Sequence, residues 1–138
     1  MILLDTNIIS EALKTVGDEK VLAWMDAQMI ETLYLSTISL AELRFCIAAL
    51  PEGKRRDILN STLEQRVLPI FSGRILAFNE AASQSYAILR SRARTLGLAI
   101  ATADGYIAAI AATNGFALAT RDTSPFDAAG LKVINPWS

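Results

Sequence analysis

Short apolar runs alternate with helix-period segments along this chain, and no hairpin signal joins one run to the next. Met1-Ile2-Leu3-Leu4 is halted by Asp5-Thr6-Asn7, which reads as a buried strand meeting a helix start. Leu33 to Ser36, Ile75-Leu76-Ala77-Phe78, Phe116 to Ala119 and Lys132 to Ile134 are the other strand candidates. Between them, Val21, Trp24, Met25, Gln28 and Met29 trace one face of a helix running from about Asp18. Ser39-Leu40-Ala41-Glu42 opens a second helix ending near Pro51 and Gly53, and Ile58, Leu59, Leu63 and Val67 mark a third up to Pro69. Ala82, Tyr86, Leu89, Ala93 and Leu96 step by four and three, an amphipathic helix closed by Gly97, with Arg90, Arg92 and Arg94 facing solvent. Asp104 to Thr113 forms the last helix, stopped by Gly115. Strands that alternate with helices predict an α/β fold around a parallel sheet. No repeat, low-complexity tract or linker interrupts the 138 residues, so 1–138 is expected to be a single domain.

The chemistry is bounded by an absence: the chain contains no histidine. A Ser-His-Asp or Cys-His triad is excluded, and zinc loses its usual nitrogen ligand. Catalysis must then rest on carboxylates, hydroxyls, amides, Lys or Arg, and oxygen-only ligands favour a hard cation such as Mg²⁺ or Mn²⁺. The lone cysteine, Cys46, rules out an intramolecular disulfide and fits a reducing compartment. Its setting, Phe45-Cys46-Ile47-Ala48, reads as buried and unreactive. Met1 to Leu4 is too short for the apolar core of a secretory leader. Thr95 to Thr120 carries one charge, Asp104, dividing it into uncharged runs of nine and sixteen residues, short of the roughly 20 that a membrane span needs. A buried helix and strand are expected there instead. With 52% apolar residues the chain is too greasy for disorder and has apolar surface to spare for an oligomer or a permanent partner.

Four acids stand where an α/β sheet puts its ligands, beyond the carboxyl ends of the strands. Asp5 follows the first strand and Asp122 the fourth; Glu42 lies in the first turn of the helix after the second strand, and Asp104 begins another helix. Each has a plainer use: Asp5 and Asp104 as helix caps, Glu42 as the partner of Ser39 in a Ser-x-x-Glu capping box, Asp122 as a turn residue. Gathered together they have a different consequence. Two carboxylates about 5 Å apart repel by roughly 3 kcal/mol at an effective dielectric of 20. Such a cluster persists only with protonation or bound metal. The net charge of −1 becomes a mildly basic balance, 13 basic against 10 acidic, once these four are assigned to cations.

Four stretches in order, Met1-Ile2-Leu3-Leu4-Asp5-Thr6-Asn7, Ser36-Thr37-Ile38-Ser39-Leu40-Ala41-Glu42-Leu43, Ala103-Asp104-Gly105-Tyr106-Ile107-Ala108-Ala109 and Ala119-Thr120-Arg121-Asp122-Thr123-Ser124-Pro125-Phe126, resemble the PIN-domain toxins of prokaryotic toxin–antitoxin pairs, the VapC and FitB type, from end to end. The resemblance implies a PIN-like fold with a parallel five-stranded sheet flanked by helices, and a Mg²⁺- or Mn²⁺-dependent endoribonuclease. Asp5 and Asp104 match the family's principal metal-binding acids, and Glu42 and Asp122 the other two catalytic acids. Thr6, Asn7 and Thr120 match polar neighbours that orient them. It also implies a cytoplasmic toxin with a cognate antitoxin, an RNA substrate, operator DNA reached through the antitoxin, and a homodimer within the larger complex. Cys46 replaces a glycine common in relatives, and Asp127 is the alternative to Asp122 as fourth acid. A largely non-catalytic co-repressor subunit and a metal-dependent DNA nuclease are the rival readings. Lys54-Arg55-Arg56 and Arg90, Arg92, Arg94 are candidate phosphate contacts or simply solvated helix faces.

Overall fold

The computed structural model describes residues 1–138. Five strands, β1 (Ile2–Leu4), β2 (Leu33–Ser36), β3 (Ile75–Leu76), β4 (Ala117–Ala119) and β5 (Val133–Ile134), form one all-parallel sheet in the order β3-β2-β1-β4-β5. Seven α-helices connect and cover it: α1 (Thr6–Leu13), α2 (Glu19–Ala27), α3 (Thr37–Ala48), α4 (Lys54–Thr62), α5 (Glu80–Thr95), α6 (Thr102–Asn114) and α7 (Ser124–Ala128). This is the α/β architecture expected from the strand–helix alternation.

The strands are nearly uniformly apolar because both faces are covered. Alternation then divides their side chains between two cores. Leu3 and Leu118 point into a core built with Leu89, Ile107, Ile110 and Phe126, from α5, α6 and α7. Leu4, Leu33, Leu35 and Ala119 join a second core with Ile8, Val21, Leu43 and Leu63, from α1 to α4 and the segment after them. In α6, Ile107, Ala108, Ala109, Ile110 and Ala111 are all fully buried, as a helix apolar on every side must be. The Thr95–Thr120 stretch is thus a core helix and strand, and no helix is long and apolar enough to cross a membrane.

Several local expectations need correction. Cys46 is exposed, not buried: Leu40, Leu43 and Ile47 define the inner stripe of α3, and Cys46 and Phe45 fall outside it. The helix at 37–48 is capped one turn earlier than the Ser39–Glu42 box implied, by Ser36 Oγ, which accepts from the Ser39 N–H at 3.0 Å. Met29 lies beyond α2 and is 70% exposed. The third strand keeps only Ile75 and Leu76, releasing Phe78 toward α5 and α6. The helix through Leu63 and Val67 is not uniform; α4 widens into a π-turn at Leu63–Val67 and tightens into a 3₁₀ turn at Leu68–Phe71, where Pro69 has no N–H to continue the ladder.

Candidate active site

The strand order reverses direction between β1 and β4, the switch point at which an open parallel sheet leaves a crevice beyond its carboxyl ends. Asp5 directly follows β1 at that switch point and is 5% exposed. Its backbone N–H donates to Ala119 O of β4 at 2.9 Å. Both carboxylate oxygens are held: Oδ1 accepts from the Thr6 N–H at 2.8 Å, and Oδ2 accepts from Thr120 Oγ1 at 2.8 Å. Asp5 is therefore the N-cap of α1, as its position allowed, but the cap occupies only one of its oxygens. Burial pushes its pKa up, against the two hydrogen bonds, and the negative charge of Glu42 pushes the same way.

Glu42 reaches the crevice from the second turn of α3. Its Oε1 accepts from Thr6 Oγ1 at 2.6 Å, and Thr6 Oγ1 lies 3.0 Å from Ser39 Oγ. A hydroxyl has one proton to give, and the short contact to the carboxylate takes it. Ser39, fully buried, then donates to Thr6. The chain Ser39–Thr6–Glu42 aims the carboxylate from α1 and replaces the capping-box role. Ser39 is the supporting residue that the sequence reading missed; once β2 is seen to end at Ser36, that residue is the cap and Ser39 is free to turn inward.

Asp104 stands in the first turn of α6 but caps nothing; the N-cap is Ala101, without a side-chain bond. It is half-buried, and its pKa is pushed up to about 6, first by burial and then by the charges of Asp5, Glu42 and Asp122. The four acids therefore act on one another's charge, with Asp122 exposed between β4 and α7. No three of them close into a metal cage. Asn7 Oδ1, at the start of α1, is buried without a partner.

Mutual repulsion, oxygen-only donors and an orphaned amide oxygen fit a hard divalent cation. Mg²⁺ keeps much of its water shell and is usually bound through one or two carboxylates plus substrate phosphate, so an open cluster suits it better than a closed cage. Asp5 and Asp104 would hold such an ion, with Glu42 and Asp122 beside them.

Residues 2–131 match the family profile described as PIN domain. The chain is 62% identical over 137 residues to VapC ribonuclease Y4jK of Sinorhizobium fredii, covering 99% of this chain and 98% of that one. It is 52% identical to toxin FitB of Neisseria gonorrhoeae, covering 99% of each. Among solved structures, FitAcB from Neisseria gonorrhoeae superposes with a TM-score of 0.94 at 52% identity over 99% of both chains, and FitAB bound to an IR36 DNA fragment with 0.96 at 50% identity over 100% of this chain and 96% of that one. VapBC2 from Rickettsia felis bound to a promoter DNA fragment superposes at 0.77 with 26% identity, covering 98% of each. With a five-stranded parallel sheet, an acidic crevice at its switch point and relatives matched along their whole length, this chain belongs to the PIN-domain family, in its VapC/FitB toxin branch.

Proposed function

We propose that the chain is the toxin of a type II toxin–antitoxin pair, a Mg²⁺- or Mn²⁺-dependent endoribonuclease that hydrolyses RNA phosphodiester bonds in the cytoplasm, with residues 1–138 acting as a single PIN domain. The observation that carries this reading is the Asp104 carboxyl, made hard to ionise first by burial and then by three other carboxylates, in a chain without histidine. Asp5 and Asp104 would hold a divalent cation, whose chemistry when bound would be to offset that repulsion, acidify a water for attack on phosphorus and stabilise the leaving oxygen. The protein's own part is orientation. Thr120 and the Thr6 N–H fix both oxygens of Asp5 so that it cannot rotate away from the crevice. Thr6 aims Glu42 toward the same space, where it can take a proton from an attacking water. Asp122, exposed, is free to adjust to the incoming backbone or to hold a second ion.

The cognate antitoxin would seat in an apolar groove. A groove of about 860 Å³ is lined by Leu13, Leu43, Ile47 and Ile58, with Lys54 and Arg55. It lies against the C-terminal parts of α1 and α3, with Leu43 one residue past Glu42. A tail lying there and continuing toward the N-terminal ends of both helices would bring a basic side chain to the acids in place of the cation. Operator DNA is reached through the antitoxin, and the exposed Phe45, Ile88 and Leu96 offer apolar surface for a homodimer. Antitoxin-free protein incubated with RNA and with DNA, each with Mg²⁺ and with chelator, tests the proposal. Metal-dependent RNA cleavage is expected. Cleavage of DNA alone points to a DNA nuclease, and no cleavage of either returns the chain to a co-repressor role.

A further inference from the structure

Beyond β4 the chain runs Thr120-Arg121-Asp122. Thr120 is buried with its hydroxyl on Asp5, and Asp122 is the acid whose charge reaches Asp104. Arg121 stands between them, its Cα about 3.8 Å from that of each neighbour across trans peptides. No other Lys or Arg is next in sequence to one of the four acids. A cation so close to several carboxylates has every electrostatic reason to pair with them. Arg121 does not: the ion pairs of the chain are Lys14–Glu11, Arg44–Glu64 and Arg56–Glu52. Its guanidinium lies instead over the Trp137 ring, 5.2 Å from the centroid. The segment after β5 is in turn fastened to the Thr120–Asp122 loop. The Thr120 N–H donates to Ile134 O at 2.9 Å, and Asn135 Nδ2 donates to Arg121 O at 3.3 Å. Asn135 Oδ1 accepts from the Trp137 N–H at 2.9 Å. Trp137 is half-buried against the second core, whereas Arg121 is exposed.

We propose that Arg121 is a contact for a backbone phosphate of the RNA strand beside the bond that is cut, and that Trp137 holds it off the acids for that purpose. The inference deepens the ribonuclease reading and rests on it. A polyanion approaching four carboxylates needs positive charge at the rim of the site. Arg121 is the cation that the chain ties to two site residues at once. A cation–π contact occupies the flat face of a guanidinium and leaves the N–H groups, which lie in its plane, open to an acceptor. That planar fork matches a phosphate. Collapse onto Asp122 would occupy the same N–H groups and cancel part of the negative charge that attracts a metal ion. Trp137 is thus a positioning residue, acting through Arg121.

Fluorescence anisotropy of a labelled single-stranded RNA on antitoxin-free protein, in chelator and across a range of salt, reads binding without cleavage. Arg121→Gln should weaken binding several-fold and lower the slope of log affinity against log salt by about 0.7, the share of one phosphate on a single strand. Arg121→Lys keeps the charge and should keep the slope. Mn²⁺ binding then separates the role of Trp137 from simple packing. Trp137→Leu should weaken Mn²⁺ binding, because the released arginine turns onto the acids. The double variant Trp137→Leu/Arg121→Gln should regain it, and Arg121→Gln alone should bind Mn²⁺ at least as tightly as wild type. If Trp137→Leu fails to fold, Trp137→Phe should show the same sign at smaller size. The phosphate contact is overturned if the wild type does not bind RNA, if Arg121→Gln leaves the salt slope unchanged, or if Arg121→Lys lowers it as much. Mn²⁺ affinity unmoved by both Trp137 variants, or lost and not regained without Arg121, overturns the holding role. Loss of antitoxin affinity with RNA affinity intact overturns the proposal in favour of a protein contact. A salt slope lowered as described, without Mg²⁺-dependent cleavage by the wild type, leaves the contact standing and removes the nuclease reading instead.

Discussion

At the scale of single residues, the site is built from carboxylates that disfavour one another's charge. Asp104 ionises near pH 6 in the folded chain, against 3.8 unperturbed. A raised pKa means that the native state holds the proton longer than the unfolded state does, so this group costs stability as pH rises from about 4 through 6. Asp5 is shifted in the same direction. In chelator, the melting temperature of the wild type should therefore fall relative to Asp104→Asn across that window, with Asp104→Asn the more stable at pH 7. A wild type that keeps its margin over Asp104→Asn from pH 4 to 7 would contradict the assignment. Glu42→Gln separates charge from placement, since glutamine can still accept from Thr6; activity should be lost with helix content by circular dichroism unchanged. Thr6→Val, nearly isosteric, strands both Glu42 and Ser39. It should lower kcat about 10–100-fold, as loss of an outer hydrogen-bond partner does, and destabilise by about 1–3 kcal/mol. The four acids were legible in the sequence because each follows a strand end or opens a helix. Ser39 was not, because one apparent capping box explained it, and the cap at Ser36 depended on where the strand stopped.

Among elements, α5 packs against α6 at the residue next to Asp104, where Tyr86 meets Gly105. The periodicity of Ala82, Tyr86, Leu89 and Ala93 announced α5, and the uncharged run around Asp104 announced a buried helix. What the pattern could not say was that Tyr86 leans on Gly105, because close approach depends on where two helices cross. Gly105→Ala tests that crossing. The added methyl must displace the Tyr86 ring, an overpacking cost of about 1–3 kcal/mol, offset by about 1 kcal/mol of better helix propensity. A net loss of stability up to about 2 kcal/mol is expected by denaturant unfolding, together with reduced activity as the first turn of α6 moves. A more stable, fully active Gly105→Ala would show that the contact is loose. Cys46 illustrates the opposite failure: an apolar neighbourhood in sequence is not a buried face, since Phe45 beside it is 62% exposed.

For the whole molecule, parallel topology does the assembling. Residues from both ends of the chain meet because β1 and β4 are neighbours, which puts Asp5 beside Thr120 across 115 positions. The parallel sheet was readable from the lack of hairpins; the order β3-β2-β1-β4-β5, and hence the crevice at its switch point, was not. On the proposed reading, the same convergence would make metal and antitoxin rivals for one charge deficit. By calorimetry at constant ionic strength, Mg²⁺ and Asp104→Asn should each weaken binding of the antitoxin's inhibitory tail; affinity unmoved by both would mean that the tail avoids this pocket. The most direct test of the central claim is Mn²⁺ binding, followed by the spectrum of the free ion, at pH 7 on antitoxin-free wild type, Asp5→Asn and Asp104→Asn. Saturable binding to the wild type, sharply weakened in both variants along with RNA cleavage, is the expected result. Equal Mn²⁺ affinity in all three proteins would contradict a metal site built from these carboxylates.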